Sequence, residues 1–246
     1  MASTQTISFV SLNYMKMMKN SILVCLLAFL FFALSSCKKD SSISLPLPLN
    51  QHYFGLDAER YIVYNVIEIN HDENAVIKHD TLYYQLKTFI GDTLVDNEGR
   101  IARKFYRSKR PDIFSPWVIT DLWTAIIENN KAELVEENQR MVKLVFPISS
   151  SKLWNINQFN SFEQADAYYD FIFSGKTING IFFDSTVRVE QEKERNLIAY
   201  KRKYEEYAAN VGMIRKVYKD LTIMNFDTLN VKSGKEIFMD IVEYGN

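Results

Sequence analysis

Apolar and polar residues interleave at short period along most of this 246-residue chain, in stretches rich in β-branched and aromatic side chains. That pattern favours strands over helices. Residues 60–70 alternate around Tyr61, Val63, Val66 and Ile69, and His71-Asp72-Glu73-Asn74 reads as a turn before a returning strand at 80–90. Asp96-Asn97-Glu98-Gly99 forms a second turn, with Gly99 suited to the left-handed backbone of a tight loop, and residues 101–109 return again. Strands linked by hairpins make a meander, hence an antiparallel sheet. Further strands are predicted over 117–128, 132–136 and 140–146, with Asn129-Asn130-Lys131 as a turn and Pro147 as a stop. Residues 161–169 predict one short helix, because Ser161 and Gln164 match a capping box. Strands at 168–173 and 181–191 follow, around the turns Ser174-Gly175 and Asn179-Gly180. Over 192–209 two periods compete. Leu197, Tyr200, Tyr204, Tyr207 and Ala208 keep helical spacing, but neighbouring tyrosines favour strand from Arg202 onward. Strands at 211–217, 220–229 and 236–244 close the chain. The fold class is therefore mainly β: an antiparallel meander forming a half-barrel, barrel or sandwich, with one or two short helices.

One segment breaks the alternation. Residues 22–34 are thirteen uninterrupted apolar positions, preceded by Lys16 and Lys19 and followed by Ser35, Ser36 and Cys37. A positive head, an apolar core and small residues at a cleavage point are the layout of a secretory signal. The run is shorter than the roughly 20 residues that cross a bilayer. Leu34-Ser35-Ser36-Cys37 resembles the lipobox of bacterial lipoproteins. The resemblance implies cleavage before Cys37 and acylation of that residue. Two or three acyl chains, at about 0.8 kcal/mol per buried methylene, give lasting attachment where one chain gives only marginal binding.

The expected organisation is a signal peptide at 1–36, with 1–14 as an upstream extension and Met15, Met17 and Met18 as candidate starts, then a lipidated tether at 37–51 and a single β-rich domain at 52–246. Leu45-Pro46-Leu47-Pro48-Leu49 in the tether favours extended backbone. Lys38-Lys39-Asp40 resembles the surface-export signal of Bacteroidota lipoproteins, with Ser41 where a second acid is usual. That implies an outer-membrane lipoprotein, periplasmic or surface-exposed.

Composition sharpens this reading. Removing 36 residues leaves 210, with 27 basic and 30 acidic side chains, a net charge of −3. A nucleic-acid partner would need a basic face, so none is expected. Of the two cysteines, Cys25 lies in the excised core and Cys37 is the acyl acceptor, so the mature domain has neither thiol nor disulfide. Thiol catalysis and zinc–thiolate sites drop out, and the aromatic residues, 13 Tyr, 13 Phe and 3 Trp of the full chain's 14, 17 and 3, must supply the core.

Candidate chemistry is sparse. Gly175-Lys176-Thr177 imitates the end of a phosphate-binding loop, but Asp170 stands where that motif needs glycine, so the stretch reads as a turn. Ser149-Ser150-Ser151-Lys152 offers Ser-x-x-Lys without its companion motifs, and reads as a polar loop. His79 lies on a returning strand with its hairpin partner expected near Glu68, an arrangement that hairpin polarity explains as well as a weak metal site does. No catalytic residue, cofactor or metal is expected. Four Asp-Thr/Ser-Leu/Thr triplets, starting at Asp80, Asp92, Asp184 and Asp227, mark strand edges. Trp117, Trp123, Trp154, Tyr168 and Phe171 are the residues that would line an apolar ligand cavity, with core packing as their alternative use.

Three short stretches resemble envelope lipoproteins of Bacteroidota. Tyr53-Phe54-Gly55-Leu56 with Tyr61-Ile62-Val63-Tyr64 is similar to their opening, with Gly55 for the usual proline and Glu59 for the usual glycine. Phe146-Pro147-Ile148 with Lys152, Trp154 and Asn155 resembles their middle motif, and Tyr207-Ala208 with Val211-Gly212-Met213-Ile214 their closing hairpin. The resemblance implies a β-rich envelope domain and transfers no catalytic residue. The expected function is non-enzymatic binding of a partner protein or apolar ligand. A lipid-carrier version with an internal cavity and an envelope hydrolase are the alternatives.

Overall fold

The computed structural model describes residues 49–246. The lipobox Leu34-Ser35-Ser36, Cys37 and most of the expected tether lie outside the described residues. A single 3-10 turn (Gln51–Tyr53) precedes thirteen strands. They are β1 (Tyr61–Asp72), β2 (His79–Val95), β3 (Ile101–Arg110), β4 (Val118–Glu128), β5 (Lys131–Glu136), β6 (Gln139–Val145), β7 (Leu153–Asn155), β8 (Asp166–Tyr169), β9 (Ser174–Ile178), β10 (Ile181–Arg195), β11 (Ala199–Ala208), β12 (Gly212–Met224) and β13 (Asp227–Gly245). All join one antiparallel sheet in the order β6-β5-β4-β3-β2-β1-β13-β12-β11-β10-β8-β7, with β9 against β10.

The sheet curls until its two edges nearly meet. The Val142 N–H of β6 donates to the Ile156 carbonyl just after β7 (2.9 Å). The Trp154 indole N–H donates to the Val142 carbonyl (3.1 Å). The Tyr169 hydroxyl accepts the Val145 N–H (3.1 Å) and donates to its carbonyl (2.9 Å). Side chains thus satisfy backbone groups that an open edge would leave bare. Closure is nearly complete, and the fold is a barrel-like sheet.

Turn chemistry sets the register. Asn129-Asn130, Glu137-Asn138, Asn179-Gly180 and Asn225-Phe226 all have positive φ at both positions. That is the two-residue hairpin geometry whose twist matches the flanking strands. The antiparallel order places the turns 96–100, 129–130, 179–180 and 209–211 at one end, the base, where Asn210 donates its N–H to the His52 carbonyl and the chain enters the domain. The turns 73–78, 196–198 and 225–226 lie at the other end, the rim. Pairing of Asp72 with Ser233, Ser233 with Thr222 and Thr222 with Ala199 puts these three tips at one level.

Several expectations are corrected. The predicted helix at 161–169 is absent: its second half is β8, in which Ala167 and Tyr169 are buried while Asp166 and Tyr168 are exposed. Burial with period two overrides the local capping pattern. Ser174-Gly175 is not a turn but the start of β9, and Lys176 reaches across β10 to pair with Glu206 on β11. Residues 220–229 are not one strand, because Asn225-Phe226 reverses the chain. The ambiguous 192–209 segment is strand on both sides of the turn at 196–198. Two of the Asp-Thr triplets prove to be bulges, with register shifts between Ile90 and Thr93 and between Phe183 and Thr186.

Candidate functional site

Inside the sheet, period-two positions converge on one cavity. Ile62 and Tyr64 on β1, Leu86, Thr88 and Ile90 on β2, Phe105 and Arg107 on β3, and Glu205 and Tyr207 on β11 all line it. The alternation is what a pleated strand does with every second side chain. The enclosed space is about 80 Å³, in a recess of about 690 Å³ counted out to its mouth. Room for one water begins near 10–15 Å³, so the enclosed part has space for a few waters.

A cluster of charges is set into this largely apolar wall. The Lys143 ammonium on β6 donates to Glu205 (2.7 Å) and to Glu136 on β5 (3.1 Å), and Lys216 on β12 stands 3.6 Å from the same Glu205 oxygen. The Tyr207 hydroxyl donates to the second Glu205 oxygen (2.7 Å). The Tyr64 hydroxyl donates to the Met213 carbonyl (2.8 Å). Glu205 is 1 % exposed and Lys143 9 % at the side chain. Two acids face two ammonium groups, and every close polar atom has a partner.

Burial on its own would raise the Glu205 carboxyl, but Lys143 and Lys216 outweigh it and bring the pKa down to about 2. Burial likewise disfavours the charge on Lys143, yet Glu136 and Glu205 hold it above its usual range. Glu136 is lowered against its own burial by Lys143 and Lys216. Burial, aided by the adjacent Glu205 carboxylate, pushes the Tyr207 phenol well up. All four groups keep one protonation state across the physiological range: carboxylates ionised, ammonium charged, phenol neutral. The centre is a locked ion cluster, not a poised acid–base pair.

The five aromatic residues singled out from sequence do not converge. Trp123 lines the cavity, stacked against Phe105 (6.2 Å between centroids) with the Arg107 guanidinium 4.1 Å from its ring centre. Trp154 is buried in the seam core beside Tyr169 (5.0 Å). Trp117 lies in a separate surface recess with Phe89 and Tyr106, under Arg110. Tyr168 and Phe171 are exposed, and Arg188 sits 4.8 Å from the Phe171 ring centre. The internal charges Lys143, Glu136, Glu205 and Lys216 were not singled out, because a buried ion pair leaves no hydrophobic period to read.

The histidine expectation also changes. His79 pairs across the hairpin with His71, not Glu68, and their Nδ1 atoms share a hydrogen bond (2.8 Å). His71 Nε2 reaches Glu236 (3.0 Å), while Glu68 accepts the Tyr84 hydroxyl (3.2 Å) and pairs with Lys235. Among the described residues, no group of three or more His, Cys, Asp or Glu is arranged to hold a metal ion. Ser149 and Ser151 hydrogen-bond to each other in an exposed loop, and Lys152 donates its N–H back to the Ser149 carbonyl.

No protein-family model matches the chain, and no curated protein matches it. A solved structure from Parabacteroides distasonis ATCC 8503, provisionally assigned as a lipoprotein, is similar at 11 % identity and a TM-score of 0.39, over 78 % of this chain and 98 % of that one. Likeness at that level does not extend to function.

Proposed function

We propose that the chain is a cell-envelope lipoprotein, fastened to the outer membrane by acyl chains on Cys37, whose β domain acts without catalysis by binding a partner at its outer surface. The anchor is supported by Leu34-Ser35-Ser36-Cys37 at the end of a short apolar run, and the compartment by Lys38-Lys39-Asp40 behind it. The observation that carries surface binding is the occupied interior. Sites for ordinary small molecules enclose roughly 300–1,000 Å³ and are mostly apolar. This cavity encloses about 80 Å³ and is crossed by Lys143, Glu136 and Glu205. An acyl chain entering it would have to separate ion pairs in low dielectric, which is strongly unfavourable. The lipid-carrier alternative draws its support from the apolar share of the cavity wall, where Trp123 and Phe105 join Ile62, Leu86, Ile90 and Met239.

Cys37→Ser tests the anchor. Without the sulfur there is no acylation and hence no cut at residue 36, so the expected product is a longer precursor that keeps the apolar segment and takes up no radiolabelled fatty acid. A Cys37→Ser chain that matures at the same bond and stays in the membrane pellet after an alkaline wash overturns the reading.

A further inference from the structure

The two ends of the sheet differ in chemistry. The base turns themselves are polar, such as Asn129-Asn130 and Asp96-Asn97-Glu98-Gly99, where Arg100 closes on Asp96 (2.7 Å), although exposed Val95, Ile101 and Phe182 flank them on the strands. The three co-level rim turns carry large exposed apolar side chains: Val76 (103 %) and Ile77 between β1 and β2, Phe226 between β12 and β13 with Leu229 (91 %) at the start of β13, and Leu197 and Ile198 between β10 and β11. A fourth hairpin bears exposed Ile113 and Phe114, but it turns lower, where Arg110 pairs with Gln85 partway down β2. The rim is distinguished by apolar residues at the tips of three co-level turns, since scattered single exposed apolar residues would need no explanation.

The three tips form one fixed edge. Phe226 donates its N–H to the Leu197 carbonyl (3.2 Å), Arg195 donates to the Phe226 carbonyl (2.7 Å), and Glu73 donates its N–H to the Lys232 carbonyl (2.8 Å). Six adjacent strands, β2-β1-β13-β12-β11-β10, at about 4.8 Å each make the edge about 25 Å long and one sheet thick. A protein partner would have to be shaped to so thin a row, whereas a fluid bilayer interface closes around it.

One further feature fits a lipid surface. A medium poor in water penalises unsatisfied backbone groups. Here Asp72 accepts the Asn74 N–H, Asn196 accepts those of Ile198 and Ala199, and Asp227 accepts that of Leu229, each at 2.8–2.9 Å.

Reach decides which bilayer. The tether from Cys37 to Gln51 is fifteen residues, about 45 Å at 3.1 Å per residue. It enters at the base, and the twelve residues of β1 span about 40 Å from base to rim at 3.3 Å each. The tether is long enough to let the rim come down on the membrane that holds the acyl chains.

We propose that the apolar rim edge dips into the interface of the same phospholipid bilayer in which the Cys37 acyl chains are embedded, laying the domain down on the membrane. This rests on the lipoprotein reading above, and the test separates the two. The mature chain as read here offers no free thiol, so Val76→Cys and Leu229→Cys at the rim and Asn97→Cys at the base each give one labelling site for an environment-sensitive nitrobenzoxadiazole dye. The lipidated protein is reconstituted into vesicles of phosphatidylethanolamine and phosphatidylglycerol, with and without nitroxide-bearing lipid. Rim probes should shift to shorter wavelength and lose at least about half their emission to the nitroxide, while the base probe stays in water. Rim probes that match the base probe, on protein whose intact mass shows acylated Cys37, overturn the rim proposal and leave the lipoprotein reading standing. Rim probes protected from aqueous iodide yet untouched by the lipid quencher also overturn it, in favour of a protein covering the edge. If the mass shows bare Cys37, the lipoprotein reading fails, and quenched rim probes still support membrane contact by the rim.

Discussion

Lys143→Met should lower the unfolding free energy by about 3 kcal/mol, the low end of the 3–5 kcal/mol seen when one partner of a buried ion pair is removed. Glu205 would keep only Lys216 at 3.6 Å and the Tyr207 hydroxyl, at 1 % exposure. For a domain of this size the melting temperature should fall by about 6–12 °C. The pH profile checks the cause. In the native protein the Glu205 pKa is lowered from 4.5 to about 2, so its contribution is present above 4.5 and is lost as pH falls from there toward 2. Lys143 is raised above 10.5, so its contribution is full below 10.5 and is lost only as pH climbs past that value. A stability plateau from about pH 5 to 10 follows for these two groups. In Lys143→Met the sign at Glu205 reverses. Burial now dominates, and lowering pH toward 5 should stabilise the variant relative to pH 8. Lys143→Met/Glu205→Gln should recover more than half of the loss, because the amide oxygen still accepts from Tyr207 and the two charges left behind, Glu136 and Lys216, are opposite in sign and attract each other. Thermal melts of the three proteins across pH decide it. Equal losses for the single and double variants would show that packing, not charge, holds the cavity.

Gly234→Ala should be comparably damaging for a different reason. Gly234 sits in β13 opposite Leu221, with φ of 124°, and a Cβ there would overlap the Asp220 carbonyl and lie 2.9 Å from the Leu221 Cα. Both obstacles are backbone of β12 and cannot swing away. Strained backbone costs about 1–3 kcal/mol and overpacking a similar amount, so a loss of about 3 kcal/mol or more is expected. Gly99→Ala is the control. It also has positive φ, 77°, but nothing lies within 4 Å, so about 1 kcal/mol should be lost. Chemical denaturation of both variants tests this, and equal losses would refute the steric cause.

The sequence is most legible where local chemistry and tertiary environment agree. Asn129-Asn130 and Asn179-Gly180 announce their turns because these residue types tolerate the left-handed backbone. The first three strands follow from their hairpin turns. It is least legible where an aromatic residue takes a turn position. Phe226, at φ of 60°, reads as one more strand residue and hides the β12–β13 hairpin. Glu205 and Glu206 are a second blind spot. Both are buried on opposite faces of β11, held by Lys143 and by Arg188 with Lys176, so their charges imitate a solvated helix flank. The interior cluster joins β5, β6, β11 and β12, which only the closed sheet brings together. Cys37 is the opposite case, legible from four residues and their apolar preface.

Native mass spectrometry of the mature lipoprotein, after exchange into a detergent that strips loosely held lipid, bears most directly on the idea of a domain that works from its outside. The expected spectrum shows one polypeptide beginning at acylated Cys37, with no further adduct. A stoichiometric lipid adduct that survives the exchange and disappears in Trp123→Ala would place the ligand in the cavity and contradict it.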